Sequence, residues 1–176
     1  MSTRQKVNDM PDTRVLIAYG SKHGATQGIA EELEEELRSD GFDVVAMPAE
    51  RVDDVNGYDA VILGGAVYAG RWHVEARRCA RRHAGQLRQR PVWLFSSGPV
   101  DDSAERRDIA PVRGVTRWMQ RLGAREHITF GGALTAETPG RIAHSLVRHG
   151  KGGDFRNPER IRQWAHHIAA QLPSSS

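Results

Sequence analysis

One short segment restricts the fold of this chain more than any other: an apolar run that ends in glycine and is followed at once by a helical pattern. The residues from Val15 to Ala18 are apolar without interruption, Gly20 and Ser21 end the run, and amphipathic spacing begins near Ala25. A short continuous apolar run bounded by a turn is typical of a strand buried on both faces. The segment therefore predicts a strand, a tight loop and a helix start, as in an open parallel α/β sheet.

The loop between this strand and this helix has the composition of an anion-binding site. Ser21 and Thr26 supply hydroxyl groups, and Gly24 lets the backbone approach a ligand closely. The N–H groups of a first helical turn have no partner inside the helix and point toward the preceding loop. We interpret the loop as a phosphate-binding loop without a catalytic base. The alternative is a glycine-containing turn with a hydroxyl cap and no ligand.

The glycine spacing excludes two common phosphate loops. A nucleoside-triphosphate loop needs Gly-Lys-Ser/Thr directly before the helix, and a dinucleotide loop needs Gly-x-Gly-x-x-Gly. Gly20, Gly24 and Gly28 fit neither spacing. A response-regulator site would need acidic residues at the end of the first strand, where this chain has Tyr19 and Gly20. The loop is therefore of another type.

The remaining pattern, Ser21-x-x-Gly24-x-Thr26, resembles the FMN-phosphate loop of flavodoxins, which usually reads Ser/Thr-x-Thr/Ser-Gly-x-Thr. His23 departs from that loop where a hydroxyl is expected. The departure is smaller relative to the flavodoxin-like protoporphyrinogen oxidases, whose loop has a charged pair where this chain has Lys22 and His23. The resemblance implies that a phosphate group would lie on the loop residues Ser21, Lys22, His23, Gly24, Ala25 and Thr26.

A second candidate segment follows another apolar run, Ala60 to Leu63, which we interpret as a central third strand. Small residues come after it, and then Tyr68 and Trp72. Small residues let the backbone bond the edge of a flat ring, and an exposed aromatic can stack on its face. The alternative is that both aromatics only pack this loop onto the next helix. Because parallel strands end at one edge of a sheet, this loop and the Ser21 loop should border one crevice.

Two further points come from the resemblance. The second segment resembles a flavin loop of the same oxidases, Gly-Ala-Ser-Ile-x-x-Gly-x-x-His, which Gly64, Gly70 and His73 match. His73 could be a helix cap or a neighbour of the flavin. The loop after the fourth strand, which in flavodoxin-like proteins touches the pyrimidine side of the ring, provides a third contact. The candidates from both loops are Ala66, Val67, Tyr68, Gly70, Trp72, Ser96, Ser97, Gly98 and Val100.

Strand and helix patterns alternate along the rest of the chain. The expected later strands are 42–47, 60–63, 91–96 and 127–134, and the expected helices are 25–40, 73–89, 111–122 and 157–172. This order predicts a three-layer α/β/α sandwich, flavodoxin-like by the resemblance, with a five-stranded parallel sheet ordered 2-1-3-4-5. We expect residues 1–13 to be a flexible leader, 14–172 a single domain and 173–176 a tail.

Composition and charge limit the function classes. The single cysteine, Cys79, suits a reducing cytosol, and no apolar run approaches the ~20 residues of a membrane span. We therefore expect a cytoplasmic protein, with peripheral contact at the inner face of the membrane as a further option. The net charge is only +3, and no nucleic-acid motif occurs, so we expect no nucleic-acid partner. Arginines crowd the third predicted helix, which indicates either a surface for an anionic partner or a solvated face: Arg77, Arg78, Arg81, Arg82 and Arg88.

The resemblance implies noncovalent FMN and redox chemistry at the flavin. The protein would dehydrogenate protoporphyrinogen and pass electrons to a quinone, or it would be a plain electron carrier with a small-molecule or protein redox partner. Two more interpretations stay open: a deazaflavin in place of FMN, and a degenerate module that binds no flavin and serves in protein interaction. Because the cofactor would carry the chemistry, we expect no catalytic side chain and no metal. Flavodoxin carriers are commonly acidic, so the pI of about 9.4 favours the oxidase-like branch.

Overall fold

The computed structural model of the chain describes residues 12–21, 24–68, 70–98, 110–134, 153–154 and 156–173. The strands are β1 (Arg14–Gly20), β2 (Asp43–Pro48), β3 (Ala60–Tyr68), β4 (Arg71–Trp72), β5 (Val92–Ser97), β6 (Glu126–Phe130), β7 (Ala133–Leu134) and β8 (Gly153–Asp154). The helices are α1 (Ala25–Ser39), α2 (Val74–Arg82), α3 (Ala84–Leu87), α4 (Arg113–Leu122) and α5 (Pro158–Ala169), and a 3₁₀ turn, Ala49–Arg51, follows β2.

The five long strands are parallel and lie in the order β2-β1-β3-β5-β6. The predicted order 2-1-3-4-5 is confirmed, and the numbers differ only because the short β4 is counted here. That strand was not predicted. It turns back on the end of β3 and pairs with it in the antiparallel sense, Val67 beside Trp72 and Tyr68 beside Arg71. A two-residue strand has too little periodicity to be read from sequence.

Helices cover both faces of the sheet, so the predicted three-layer sandwich is confirmed. Val15 and Ile17 of β1 pack against the layer of α1 and α5, while Leu16 and Ala18 pack against the layer of α2, α3 and α4. All four side chains are fully buried. Burial on both faces explains why the first apolar run shows no alternation. No helix in the described part of the chain is long and apolar enough to span a membrane.

The third strand is longer than predicted. It does not end at Leu63 but continues to Tyr68, and Gly64 and Gly65 pair in register with residues of both β1 and β5. Glycine fits strand patterns poorly because it has no side chain to pack. For that reason Gly64 and Gly65 were predicted to lie in a loop, whereas in the structure they belong to the strand.

Gly64 leaves room for a buried aromatic ring. It lies beside Phe95 in the register of β3 and β5, and a Cβ atom at this position would overlap the Phe95 ring. Phe95 in turn makes edge-on contacts with Phe130, at a centroid distance of 6.1 Å, and with Trp164, at 6.2 Å. This aromatic group joins the centre of the sheet to α5, so the missing side chain at Gly64 is a packing requirement.

Two predicted elements are divided. The expected helix 73–89 breaks at His83, whose buried ring bonds the Val52 carbonyl at 3.1 Å through Nε2. The expected strand 127–134 consists of β6 and the separate β7, which pairs with β8. The α5 start is as predicted, since the Asn157 side chain accepts hydrogen bonds from two N–H groups of the first turn. Most of the expected leader and tail lies outside the described residues, as do residues 135–152.

We predict that Gly64→Ala lowers the free energy of unfolding by about 1–3 kcal/mol, because the added methyl group overpacks against Phe95. Gly85→Ala is the matched control: it lies in α3, an added Cβ meets no atom within 4 Å, and helix propensity should raise stability by roughly 0.5–1 kcal/mol. Urea denaturation followed by circular dichroism measures both. A Gly64→Ala protein as stable as the parent would contradict the overpacking at Phe95.

Candidate functional site

Three candidate segments leave the sheet at one edge. β1, β3 and β5 are adjacent and parallel, and at their carboxyl ends Gly20 lies beside Gly65 and Ala66 lies beside Ser97. The expectation that the Ser21 loop and the Tyr68 loop share an edge is therefore confirmed. The strand order reverses between β1 and β3, which makes this edge the switch point where open α/β sheets bind ligands.

The first loop leads from β1 into the start of α1. Gly24 caps α1 in the left-handed conformation, with φ 85°, and its N–H donates to Ser21 Oγ at 3.0 Å. Thr26, in the first turn of α1, is fully buried, and its hydroxyl has no hydrogen-bond partner within the described residues. A buried polar group without a partner costs about 1–3 kcal/mol. A ligand oxygen at the start of α1 would remove that cost, and the helix N-terminus favours a negative one.

The first loop lies directly against the second. A Cβ atom on Gly20 would come within 2.8 Å of both the Ala76 backbone nitrogen and His73 Nδ1. Only glycine therefore fits at the end of β1 without a shift of these neighbours. His73 caps α2, because its Nδ1 accepts a hydrogen bond from the Glu75 N–H at 3.1 Å. Of the two roles considered for His73, the structure shows the helix cap. The starts of α1 and α2 consequently border the same crevice.

The hairpin of β3 and β4 separates its two aromatic residues. Tyr68 is 46% exposed, as expected for a ring-stacking residue, whereas Trp72 is only 1% exposed. The expectation of an exposed Trp72 is wrong, because β4 folds back and buries the indole, whose Nε1 donates to the Gly65 carbonyl at 3.0 Å. Gly65 allows this contact, since a Cβ there would lie 2.6 Å from Trp72 Nε1. Gly70 makes the hairpin turn with φ 74°.

An arginine that helical spacing assigned to the outer surface holds this hairpin. Arg77 is half-buried, and its Nε donates to the Trp72 carbonyl at 3.0 Å. The expectation that Arg77 points outward with the other arginines is therefore wrong. Helical spacing places a residue on a face but cannot show that a strand end approaches that face. Arg77 positions the Tyr68 hairpin relative to α2.

The third loop contains a contact that the sequence did not predict. Ser96 and Ser97 are buried, and the Ser96 hydroxyl shares a hydrogen bond of 2.8 Å with His127 Nε2 on β6. Ser96 is thus held from below the crevice. Gly98 follows with φ 125°, and its N–H donates to the Phe130 carbonyl at 2.9 Å. The only sequence signal for this contact was a polar residue at an inward position of a strand.

Burial determines the charge states near the crevice. It lowers the pKa of His127 to about 4, so the imidazole is neutral at pH 7. It raises the pKa of the Tyr68 phenol, which is therefore also neutral. Cys79 lies inside α2 with its pKa raised to about 11, so it is no thiolate nucleophile. Within the described part of the chain, no group of three acidic, histidine or cysteine residues could hold a metal ion.

The remaining candidates divide into two groups. Ala25 and Ala66 are buried beside the crevice, and Val67 is half-buried on β3. The Ala66 carbonyl accepts a hydrogen bond from the His73 N–H at 2.8 Å. Lys22, His23 and Val100 lie outside the described residues. The crevice thus offers hydroxyl and backbone donors at one end and a neutral aromatic at the other.

A doubly wound parallel sheet with a helix start at its switch point defines an α/β protein of flavodoxin-like fold. The model of the flavodoxin domain family matches residues 16–150, and the chain belongs to that family. Proteins of this family bind FMN and pass electrons to redox partners. The resemblance identified in the sequence is therefore confirmed.

Relatives and solved structures agree with this assignment. Protoporphyrinogen IX dehydrogenase [quinone] of Escherichia coli, strain K12, is 26% identical over 96 residues, covering 53% of this chain and 53% of that protein. The same protein of strain O157:H7 gives the same values. The chain thus matches about half the length of these curated relatives.

The similar solved structures show the fold alone, because their identities are low. A mutant flavodoxin from Pseudomonas aeruginosa has a TM-score of 0.61 at 17% identity, covering 90% of this chain and 98% of that one. A flavodoxin from the domain Archaea has a TM-score of 0.60 at 14% identity, with coverages of 90% and 97%. Rubredoxin oxygen:oxidoreductase of Desulfovibrio gigas has a TM-score of 0.60 at 18% identity, covering 92% of this chain but 36% of that chain.

We predict that His127 makes stability depend on pH. Its pKa in the fold, about 4, lies below the ordinary value of 6.5, so protons bind the unfolded chain more tightly. Stability should be complete above pH 6.5 and fall by up to about 3 kcal/mol as pH drops to 4. His127→Gln, which can still bond Ser96, should flatten this slope by about one proton in urea denaturation. Equal slopes in variant and parent would refute the assignment.

Proposed function

We propose that the crevice binds FMN and that the chain works as a flavin-dependent redox protein. The proposal rests on one observation. The Thr26 hydroxyl, at the start of α1, is buried and has no hydrogen-bond partner among the residues that the structure describes. A phosphate oxygen is the kind of acceptor that such a donor needs. Ser21, Gly24 and Thr26 would hold the phosphate group with the N–H groups of the first helical turn.

The opposite end of the crevice suits a flat ring. The hairpin with Tyr68 would border one side and the turn at Gly98 the other, and the ends of β3 and β5 would lie between them. When bound, FMN supplies the capacity to accept and release electrons, so the chain itself needs no acid–base pair. Its residues would orient the flavin: Arg77 holds the hairpin, and His127 holds Ser96. The Tyr68 phenol and the His127 imidazole are both neutral, so they add no charge beside the ring.

The finer proposal concerns the reaction. The Escherichia coli relatives are named for dehydrogenating protoporphyrinogen IX with a quinone, and the match to them supports the same chemistry here. The pI of about 9.4 supports it further, since it is unlike that of acidic flavodoxin carriers. The alternative, an electron carrier, is supported by the half-exposed Tyr68 at the crevice, which leaves the flavin region open to a protein partner.

We predict opposite effects of Thr26→Val on FMN binding and on stability. Loss of a hydrogen bond to a charged phosphate should weaken FMN binding by about tenfold or more, while riboflavin, which lacks the phosphate, should bind as before. The flavin-free protein should be equally stable or slightly more stable, because an unpartnered buried hydroxyl is replaced by a methyl group of similar shape. Flavin fluorescence titration and urea denaturation measure these effects.

Thr26→Ser is the matched control, since it keeps the hydroxyl and removes a methyl group. It should retain most of the FMN affinity. The phosphate assignment would fail if Thr26→Val weakened riboflavin and FMN equally. Absence of any FMN binding by the parent would favour a module without flavin, and binding of a deazaflavin instead would change the cofactor but not the site.

The reaction is tested with reduced, FMN-loaded protein under anaerobic conditions. We expect a menaquinone analogue to reoxidise it faster than a ferredoxin reductase does. Protoporphyrinogen IX should reduce three equivalents of the oxidised form, with appearance of porphyrin fluorescence, because porphyrin formation releases six electrons and each FMN accepts two. Thr26→Val protein, depleted of FMN, is the control for uncatalysed oxidation. Reoxidation by the reductase alone, without porphyrin formation, would establish the electron carrier instead.

A further inference from the structure

The layer of α2, α3 and α4 is far more basic than the sequence of one helix indicated. Helix α2 has one acidic residue, Glu75 in its first turn, and after it the segments 76–98 and 110–125 contain no Asp or Glu. They contain these arginines: Arg77, Arg78, Arg81, Arg82, Arg88, Arg90, Arg113, Arg117, Arg121 and Arg125. Helices α3 and α4 are in contact, and both helical segments pack on the same side of the sheet. The arginines of α2 and α4 therefore form one surface.

Some of these arginines stabilise the fold. Arg77 binds the Trp72 carbonyl, and Arg90 donates to backbone carbonyls after the 3₁₀ turn. Arg78 pairs with Glu75 at 2.8 Å, and Arg121 lies over the Trp118 ring at 5.0 Å. Such contacts account for these side chains without any partner molecule.

Five of the remaining arginines, together with Arg71 of β4, have no such explanation, and we call these six the arginine face. All are exposed, and no guanidinium group among them makes a hydrogen bond or an ion pair with the described part of the chain: Arg71, Arg81, Arg82, Arg88, Arg113 and Arg117. Several exposed arginines elsewhere in the protein pair with carboxylates, as Arg14 does with Asp43 and Arg162 does with Glu36. Six like charges on one surface repel each other, which costs stability unless a partner neutralises them.

The opposite layer has the opposite charge. Helix α1 carries only Arg38 as a base, against these acids: Glu31, Glu32, Glu34, Glu35 and Glu36. The net charge of +3 therefore hides a separation of charge across the sheet. A molecule with this distribution orients an approaching anionic partner toward one side before contact, and salt weakens the effect.

The arginine face adjoins the crevice. Arg71 is next to Trp72 in β4, whose partner strand ends in the half-exposed Tyr68. β4 contacts α4, and α2 begins two residues after β4. A partner seated on the arginine face would therefore lie beside the mouth of the crevice. This is the side from which electrons would enter or leave a bound flavin.

We propose that the arginine face is the docking surface for an acidic redox protein, an inference that rests on the redox function proposed above. Guanidinium groups pair with carboxylates through two parallel hydrogen bonds, which suits an acidic protein surface. Among the described residues the only large apolar side chains classed as exposed are Tyr68 and Val74, both at the edge near β4. A charged surface with few apolar anchors is typical of small, transient electron-transfer complexes, and it lacks the apolar face of a membrane-inserting element.

The test uses an acidic [2Fe–2S] ferredoxin as the probe and measures binding rather than turnover. Calorimetry at low and at physiological salt gives the Kd for the parent and for Arg81→Gln with Arg117→Gln. The control is Ser39→Glu with Gln163→Glu, two exposed sites in the α1–α5 layer. Each pair lowers the net charge by two units, from +3 to +1, so only the position of the change differs. Both doubles are also titrated with FMN.

We expect the arginine double variant to bind the ferredoxin about fivefold more weakly at low salt, and the control to bind like the parent, with the difference shrinking as salt rises. Unchanged FMN affinity in all proteins separates this result from a failure of the flavin site. Equal binding by both doubles would overturn the proposal. So would arginine-dependent binding to phosphatidylglycerol vesicles without ferredoxin binding, which would assign the face to a membrane surface, or no binding to either probe.

Discussion

The packing around Gly64 and Gly65 is the constraint on which the rest of this structure depends. These residues lie in the central strand, with the Phe95 ring against one face and the Trp72 indole against the other. Interiors are packed like crystals, so the absence of two side chains here decides what the neighbouring layers can contain. Through Phe95 the sheet binds α5, and through Trp72 it holds the hairpin that borders the crevice.

A consequence is that the floor of the crevice consists of packed strand ends, whereas its candidate ligand-binding groups come from loops. Hydrogen bonds from side chains stabilise these loops. His73 caps the start of α2, and His127 shares a hydrogen bond with the Ser96 hydroxyl. At the first loop the Thr26 hydroxyl is buried with no partner among the described residues, as is His127 Nδ1 beneath the third loop. Folded proteins satisfy most of their buried polar groups, so a buried hydroxyl without a partner at a helix start supports the proposed phosphate site.

Arginine has two separate uses in this protein. Half-buried guanidinium groups donate hydrogen bonds to backbone carbonyls of other segments. Arg90 binds the loop before β3 in this way, and Arg77 binds β4. A guanidinium group directs its donors in a fixed plane, which a lysine could not reproduce. Arg81 and Arg117 belong to the other use, since both are exposed on helices where basic residues outnumber acidic ones. Arginine thus stabilises the segments around the crevice and also makes one side of the protein positively charged.

Local sequence determined those elements whose information is local: the run from Val15, the turn at Gly24, the Asn157 cap and, through the resemblance of its loops, the family. It also determined the strand order, since each helix between parallel strands restricts where the next strand can lie. Only the tertiary structure decided that Trp72 is buried, that Gly64 belongs to a strand and that His127 reaches Ser96. Each of these depends on a contact between residues far apart in the chain or on a reversal too short to have a period, and neither spacing nor composition contains that information.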